Sequence, residues 1–169
     1  MTMTDFEIFA RTQLPGLLRY SVMLTGDREL AADLVQDVLV KAYRQWPRIS
    51  GTDRPDRYAM RMVTNQFLSW RRSRAARSIA LAELPDDADG EHFETTHAVR
   101  DEMWRRLARL PKRQRAVLVL RYYQQLTDAE IAEVLGCTAV TVRGYAHRAL
   151  ATLRVDLNAE LIAGSKETR

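Results

Sequence analysis

The chain of 169 residues is poor in cysteine, proline and glycine, and it has no long apolar run. Cys137 is its single cysteine, so an internal disulfide and a cysteine metal cluster are both excluded. No apolar stretch reaches the roughly 18 residues that suggest a membrane span. The first residues carry Asp5 and Glu7 instead of the basic and then apolar layout of a signal peptide. We therefore expect a cytoplasmic protein without membrane contact.

Sequence signals for an enzyme are missing as well. No phosphate-binding glycine loop and no Ser-His-Asp set occurs, and His92 and His97 stand far along the chain from Cys137. We therefore expect no catalysis, no metal and no cofactor. Alternating apolar and polar runs with hairpin signals are absent too, so β-strands are not expected.

What the chain does contain is helical periodicity in two halves. Thr4–Glu7 and Thr127–Glu130 both read as capping boxes, which mark helix starts. Pro15 is expected to break or kink the first helix. The predicted helices cover about 5–24, 27–46, 55–78, 98–109, 111–124, 128–135 and 138 to beyond 153, with a loop at 47–54. The expected fold is all-α, with two small helical domains (1–78 and 98–169) joined by a flexible linker (79–97) and a helix-turn-helix in the second.

Charge is distributed in blocks. Residues 41–77 hold ten basic and two acidic side chains, and residues 103–154 hold ten and three. Between them, residues 78–102 hold one basic and eight acidic side chains. Basic blocks on folded helices indicate two separate contacts with a polyanion such as nucleic acid. The alternative is that both blocks are solvated helix faces.

Residues 126–143 have the pattern of a helix-turn-helix. Ile131, Ala132 and Leu135 form the inner face of its first helix, and Gly136 supplies the turn. On a helical wheel, the second helix buries Val142, Ala146, Ala149 and Leu153. Its other side presents Val140, Thr141, Gly144, His147 and Arg148, with Arg143 at the flank. Such a face fits the major groove of DNA, although a plain helical hairpin would show part of the same pattern.

A second polar face lies on the predicted helix 55–78. Its members are spaced by three or four residues and so share one side: Arg57, Arg61, Asn65, Ser69 and Arg72. Arg71, Arg74 and Arg77 extend this face. Cations that hold phosphates and an amide that contacts a base edge are suited to a nucleic-acid strand. A solvated basic face is again the alternative.

Taken together, four segments resemble the extracytoplasmic-function (ECF) sigma factors of RNA polymerase, which contain only sigma regions 2 and 4. They are DRELAADLVQDVL (27–39), YAMRMVTNQFLSWRR (58–72), LPKRQRAV (110–117) and the helix-turn-helix. Their details resemble the SigE-type subgroup of GC-rich bacteria.

The resemblance implies roles for particular residues. Asp33, Leu34, Gln36 and Asp37 would bind core RNA polymerase. Arg57, Arg61, Asn65, Ser69, Arg71 and Arg72 would bind the −10 promoter element, and the 47–56 loop would receive a flipped base. The outward face of the last helix, Val140, Thr141, Arg143, Gly144, His147 and Arg148, would bind the −35 element. Such a protein is a monomer when free of polymerase, and an anti-sigma factor is a further partner that the resemblance leaves open.

Two features qualify the resemblance. The family often has Ser or Gly before the Thr-Val-Arg run and Ser-Arg after it, where this chain has Ala139-Val140 and Gly144-Tyr145. The resemblance therefore does not give its preferred −35 sequence. The acidic segment 78–102 would thread a basic channel of polymerase or act as a solvating spacer. The alternative function is a stand-alone helix-turn-helix regulator, which would not need the basic face in the first half.

Overall fold

The computed structural model describes the backbone of residues 4–70 and 94–164, and the side chains of residues 4–70 and 102–154. The described residues form helices and no β-strand. The chain divides into two compact units, Met1–Met103 and Trp104–Arg169. The predicted all-α fold with two helical domains is confirmed. Most of the predicted linker lies outside the described residues, and the exact domain limits stay a prediction.

The first unit is built from α1 (Asp5–Thr25), α2 (Arg28–Arg44), α3 (Trp46–Ser50) and α4 (Pro55–Ser69). Thr4 begins α1 with the predicted capping box, in which the Thr4 amide donates to Glu7 Oε2 over 2.7 Å. Asp27 caps α2 by accepting from the Leu30 amide over 2.9 Å. The helices α1, α2 and α4 pack around a shared core that includes Tyr20, Leu24, Val38 and Val63.

Three predictions about the first unit are corrected. Pro15 was predicted to break or kink α1, and the break is wrong: α1 continues through Pro15 to buried residues such as Leu17 and Leu24. The expected loop after α2 contains the short helix α3, which Ile49 anchors by its complete burial. Finally, α4 ends at Ser69, since Trp70 has an extended backbone (ψ 113°). The predicted continuation to residue 78 lies outside the described residues.

The second unit begins within α5 (Glu94–Arg109) and contains α6 (Lys112–Leu118), a π-helical segment (Val119–Tyr123), α7 (Asp128–Leu135) and α8 (Ala139–Gly164). The sequence predicted one α-helix to residue 124, which is wrong at its end. There the Gln124 amide donates to Val119 O over 3.1 Å, an i→i−5 bond, and Gln125 takes a positive φ of 54°. Such π-turns occur often at functional sites.

Arg115 joins α5 to α6 in the second unit. Its guanidinium donates to the backbone oxygens of Ala108 (2.8 Å) and Leu110 (3.3 Å). These carbonyls lie at the end of α5, where helix oxygens lack partners within the helix. Burial lowers the pKa of Arg115 but leaves an arginine charged at neutral pH. No helix in the part of the chain that the structure describes is both long enough and apolar enough to cross a membrane.

Candidate nucleic-acid interfaces

The helix-turn-helix is formed by α7, Gly136 and α8. Thr127 closes the predicted capping box, with its amide donating to Glu130 Oε2 over 2.8 Å. Gly136 ends α7 at φ 63°, a left-handed conformation that favours glycine. The Cys137 amide then donates to Ala132 O, which tightens the turn. At the start of α8, the Thr138 hydroxyl accepts from the Thr141 amide over 3.2 Å. The turn therefore fixes where the second helix begins.

The buried face of this motif matches the sequence prediction. Ile131, Ala132 and Leu135 of α7 are buried, and so are Val142, Ala146 and Ala149 of α8. Leu153 is half-buried. Cys137 is partly buried in the turn, as a small turn residue would be.

The outward side of α8 holds the six residues predicted to bind the −35 element. Val140 is 69% exposed, and Arg143, His147 and Arg148 are exposed as well. Thr141 and Gly144 are partly exposed. The Arg148 guanidinium carbon lies 5.2 Å from the centre of the Tyr145 ring, so the ring supports this side chain by a cation–π contact. The face thus combines cations with small side chains that permit close approach to bases.

Sequence reasoning missed one contact of this face. Asp128, at the start of α7, forms an ion pair with Arg121 of the π-helical segment. Its other carboxylate oxygen lies 3.8 Å from Arg143 Nη1 on α8. Residues seven and fifteen positions from Asp128 are brought together only by the fold, so no local sequence signal marks them.

The polar face of α4 forms a second candidate interface. Arg61, Asn65 and Ser69 are exposed, and Arg57 is half-buried. The opposite side of α4 is buried through Val63 and Phe67, as predicted. The Ser69 hydroxyl donates to Gln66 O over 3.0 Å, which occupies its hydrogen at the end of the helix. Arg71 and Arg72, also predicted for this interface, lie outside the described residues.

Two contacts fix the surroundings of this face. Lys41 of α2 donates to Gln66 Oε1 over 2.6 Å, next in sequence to Asn65. Arg54, which precedes α4, donates two hydrogen bonds to the Asp56 carboxylate (3.1 and 2.9 Å). The pKa of Asp56 is lowered chiefly by these bonds. These hydrogen bonds therefore hold the end of the 47–56 segment, which was predicted to receive a flipped base, against the first turn of α4.

The predicted polymerase-binding residues lie on α2, where three of them are exposed and one is buried. Asp33, Gln36 and Asp37 are exposed. Leu34 is completely buried among the core side chains, and its direct contact with polymerase stays a prediction. Val40 is 46% exposed and lies three positions after Asp37, on the same side of the helix. Val40 is therefore an exposed apolar side chain beside the three polar residues.

Comparisons with known proteins agree for both units. The family model for sigma-70 region 2 matches residues 9–77, and the model for sigma-70 region 4 matches residues 100–153. The RNA polymerase sigma-E factor of Streptomyces avermitilis is 37% identical over 153 residues, which covers 90% of this chain and 85% of that protein. The ECF RNA polymerase sigma factor SigL of Mycobacterium tuberculosis is 32% identical over 148 residues, with 83% and 82% covered.

A solved structure shares the fold. The sigma factor RpoE from Bartonella quintana, determined in complex with the anti-sigma factor NepR, has a TM-score of 0.70 at 21% sequence identity. The match covers 92% of this chain and 98% of RpoE. The chain therefore belongs to the ECF sigma factors of the sigma-70 family.

Proposed function

We propose that this sigma factor binds its partners through three surfaces. The outward face of α8 binds the −35 element, the polar face of α4 binds the −10 element, and the face of α2 that carries Asp33 and Asp37 binds core RNA polymerase. As a sigma factor it directs transcription initiation and performs no catalysis of its own. The observation that carries this assignment is the presence of exposed polar faces on α4 and α8, in two separate units.

The face of α8 has the chemistry that a major-groove contact needs. An arginine side chain can donate two hydrogen bonds to one guanine, and threonine and valine methyl groups can contact the methyl group of thymine. Val140, Thr141 and Arg143 lie in the first turns of α8, the part of a recognition helix that meets base edges. His147 and Arg148 follow one turn later and are placed to approach phosphates.

The face of α4 is suited to a separated strand. Asn65 lies one turn from Arg61 and one turn from Ser69, so an amide stands between a cation and a hydroxyl group. Extruding a base from duplex DNA costs roughly a few kcal/mol. Contacts of Asn65 with the base and of Arg61 with phosphate would offset part of this cost. Because both DNA contacts are on one chain, binding through one raises the effective concentration of the other. Each contact can therefore be weak on its own.

The face of α2 carries Asp33, Gln36, Asp37 and Val40, and the exposed Lys41 and Arg44 follow on the same side in the last turn of the helix. Acidic side chains on a DNA-binding protein oppose the phosphates, so this face is unsuited to DNA and suited to a basic protein surface. Core polymerase is the protein partner that a sigma factor requires. The alternative of a stand-alone regulator leaves both this face and the polar face of α4 without a role.

The remaining partners follow from this function. We expect the protein to act in the cytoplasm, where core polymerase is found, and to be a monomer when free of it. An anti-sigma factor that covers the α2 or α8 face would keep it inactive, and co-purification of the protein from cells tests for such a partner.

Run-off transcription tests the proposed function. Core RNA polymerase of the source organism would be supplied with fragments of its genomic DNA, with and without the protein. Discrete start sites that need the protein and share two upstream motifs support the proposal. Duplex-DNA binding by the protein alone, without discrete polymerase-dependent starts, would favour a stand-alone regulator.

A further inference from the structure

One carboxylate connects three elements of the second unit. Asp128 of α7 pairs through Oδ1 with Arg121 of the π-helical segment, while its Oδ2 lies 3.8 Å from Arg143 Nη1 of α8. The side chains of Arg121 and Asp128 are only 24% and 27% exposed, whereas that of Arg143 is 60% exposed. The first two are thus held within the protein surface, and the third projects from it.

An acidic group at this position needs an explanation. It lies beside the α8 face, where a negative charge repels DNA phosphates and weakens binding. Arg121 offsets this charge and fixes the orientation of the carboxylate. The second oxygen is then directed at Arg143, whose long side chain would otherwise sample many rotamers. A guanidinium has further N–H donors, so one side can rest near Asp128 while others remain available to a base edge.

We propose that Asp128, held by Arg121, is a positioning residue that sets the rotamer of Arg143 for contact with the −35 element. This inference rests on the proposed function of α8. It makes the base preference at one or two adjacent positions depend on a residue outside the recognition helix. The competing explanation is that Asp128 only stabilises the first turn of α7, where acidic residues interact favourably with the helix dipole.

The test compares holoenzymes made with the wild-type chain, Asp128→Asn, Arg143→Ala and Glu133→Gln. Glu133 is exposed on the same helix, so its variant is matched in helix and in charge change. Each holoenzyme selects from a pool of duplex DNA with a randomised window that spans both promoter elements. Sequencing of the bound DNA gives the discrimination at every position, and filter binding against salt concentration gives the overall affinity.

We expect D128N to bind DNA at least as tightly as wild type at low salt, because it carries one negative charge fewer. Its discrimination should fall by about fivefold or more, the lower range for one bidentate base contact. The loss should fall on the same base pairs that R143A affects, and a holoenzyme with both substitutions, D128N and R143A, should discriminate no worse than R143A. The E133Q holoenzyme should select the wild-type motif unchanged.

Unchanged or sharper discrimination by D128N would overturn the inference. If D128N does not fold, Asp128→Ser replaces it with a residue that suits a helix start, and the same result is expected. A stabilising role alone predicts a lower melting temperature with the wild-type base preference, which also overturns it. If the wild-type holoenzyme selects no upstream motif, the proposed −35 function itself fails, and this inference fails with it.

Discussion

At the scale of single residues, Tyr20 of the first unit is a group whose ionisation is linked to folding. It is completely buried between the helices of the first unit, and its hydroxyl lies 2.7 Å from Thr64 Oγ1. Burial raises the pKa of Tyr20 far above its usual value of about 10. The folded state therefore retains a proton that the unfolded chain loses in alkali.

This shift predicts a stability loss at high pH. Below about pH 10 the contribution of neutral Tyr20 is fully present, and above it the free energy of unfolding should fall by up to about 1.4 kcal/mol per pH unit. The variant Tyr20→Phe should lack this extra slope, at a cost of about 1 kcal/mol at neutral pH for the lost hydrogen bond. Urea unfolding at several alkaline pH values measures both. Equal slopes in the two proteins would contradict the role of Tyr20.

The burial or exposure of single side chains was predictable where a helix has one buried side. The wheel of α8 separated buried Val142 and Ala146 from exposed His147 and Arg148, because a recognition helix packs on one face only. On α2 Leu34 is buried, while its predicted polymerase contact came from the resemblance, which transfers a segment but not the depth of each side chain. The Asp128 contacts were beyond prediction because they depend on how three elements pack.

At the scale of elements, two glycines of the helix-turn-helix should respond in opposite ways to alanine. Gly144 lies within α8, and an added Cβ would meet only the Arg148 guanidinium, 3.8 Å away. Gly144→Ala should raise stability by roughly 0.5–1 kcal/mol, because glycine is a poor helix former. Gly136→Ala should lower stability by roughly 1–2 kcal/mol, because its φ of 63° is left-handed.

Thermal or denaturant unfolding of the two variants beside the wild-type chain provides the measurement. The variants serve as controls for each other, since both add one methyl group to the same motif. Stabilisation by Gly136→Ala would show that the turn does not have the described backbone. Loss of stability in Gly144→Ala would show that this part of α8 is not an open helix surface.

The polar face of α4 predicts a division between strand opening and general attraction. In a holoenzyme, Asn65→Ala should reduce permanganate reactivity of −10 thymines, because the exposed Asn65 would contact the separated strand. Polymerase binding should stay unchanged, because Asn65 lies outside the α2 face. Arg61→Ala should weaken binding to all DNA sequences and reduce the salt slope by about one, the effect of one phosphate contact. Thr12→Ala, at an exposed position of α1, is the control. An Asn65→Ala holoenzyme that opens DNA normally would contradict the assignment.

Elements with local signals were predicted and those set by packing were not. The two capping boxes and Gly136 are recognisable in sequence because each depends on neighbours within four residues. Helix α1, which contains Pro15, packs against α2 and α4, and the π-helical segment is followed by buried Leu126, whose amide donates to Leu120 O. Neither is encoded in a short window of sequence.

At the scale of the whole molecule, the two-unit organisation was predictable because charge and periodicity both change near the middle of the chain. The basic blocks fall within residues 41–77 and 103–154, and the family models match 9–77 and 100–153. The proposed function requires the α4, α8 and α2 faces on one chain. Polymerase binding is the property that separates a sigma factor from a DNA-binding protein with the same two units.

The most direct test is therefore gel filtration with core RNA polymerase, comparing the wild-type chain with an Asp33→Arg/Asp37→Arg double variant. Both residues are exposed on α2, so the variant should fold, which its circular dichroism and melting temperature verify. Asp5→Arg, at an exposed position of α1, is the control for reversed charge. We predict that wild type and D5R co-elute with core polymerase and that the double variant elutes alone. Co-elution of the folded double variant would contradict the assignment of the α2 face, and failure of the wild-type chain to bind core polymerase would contradict the account as a whole.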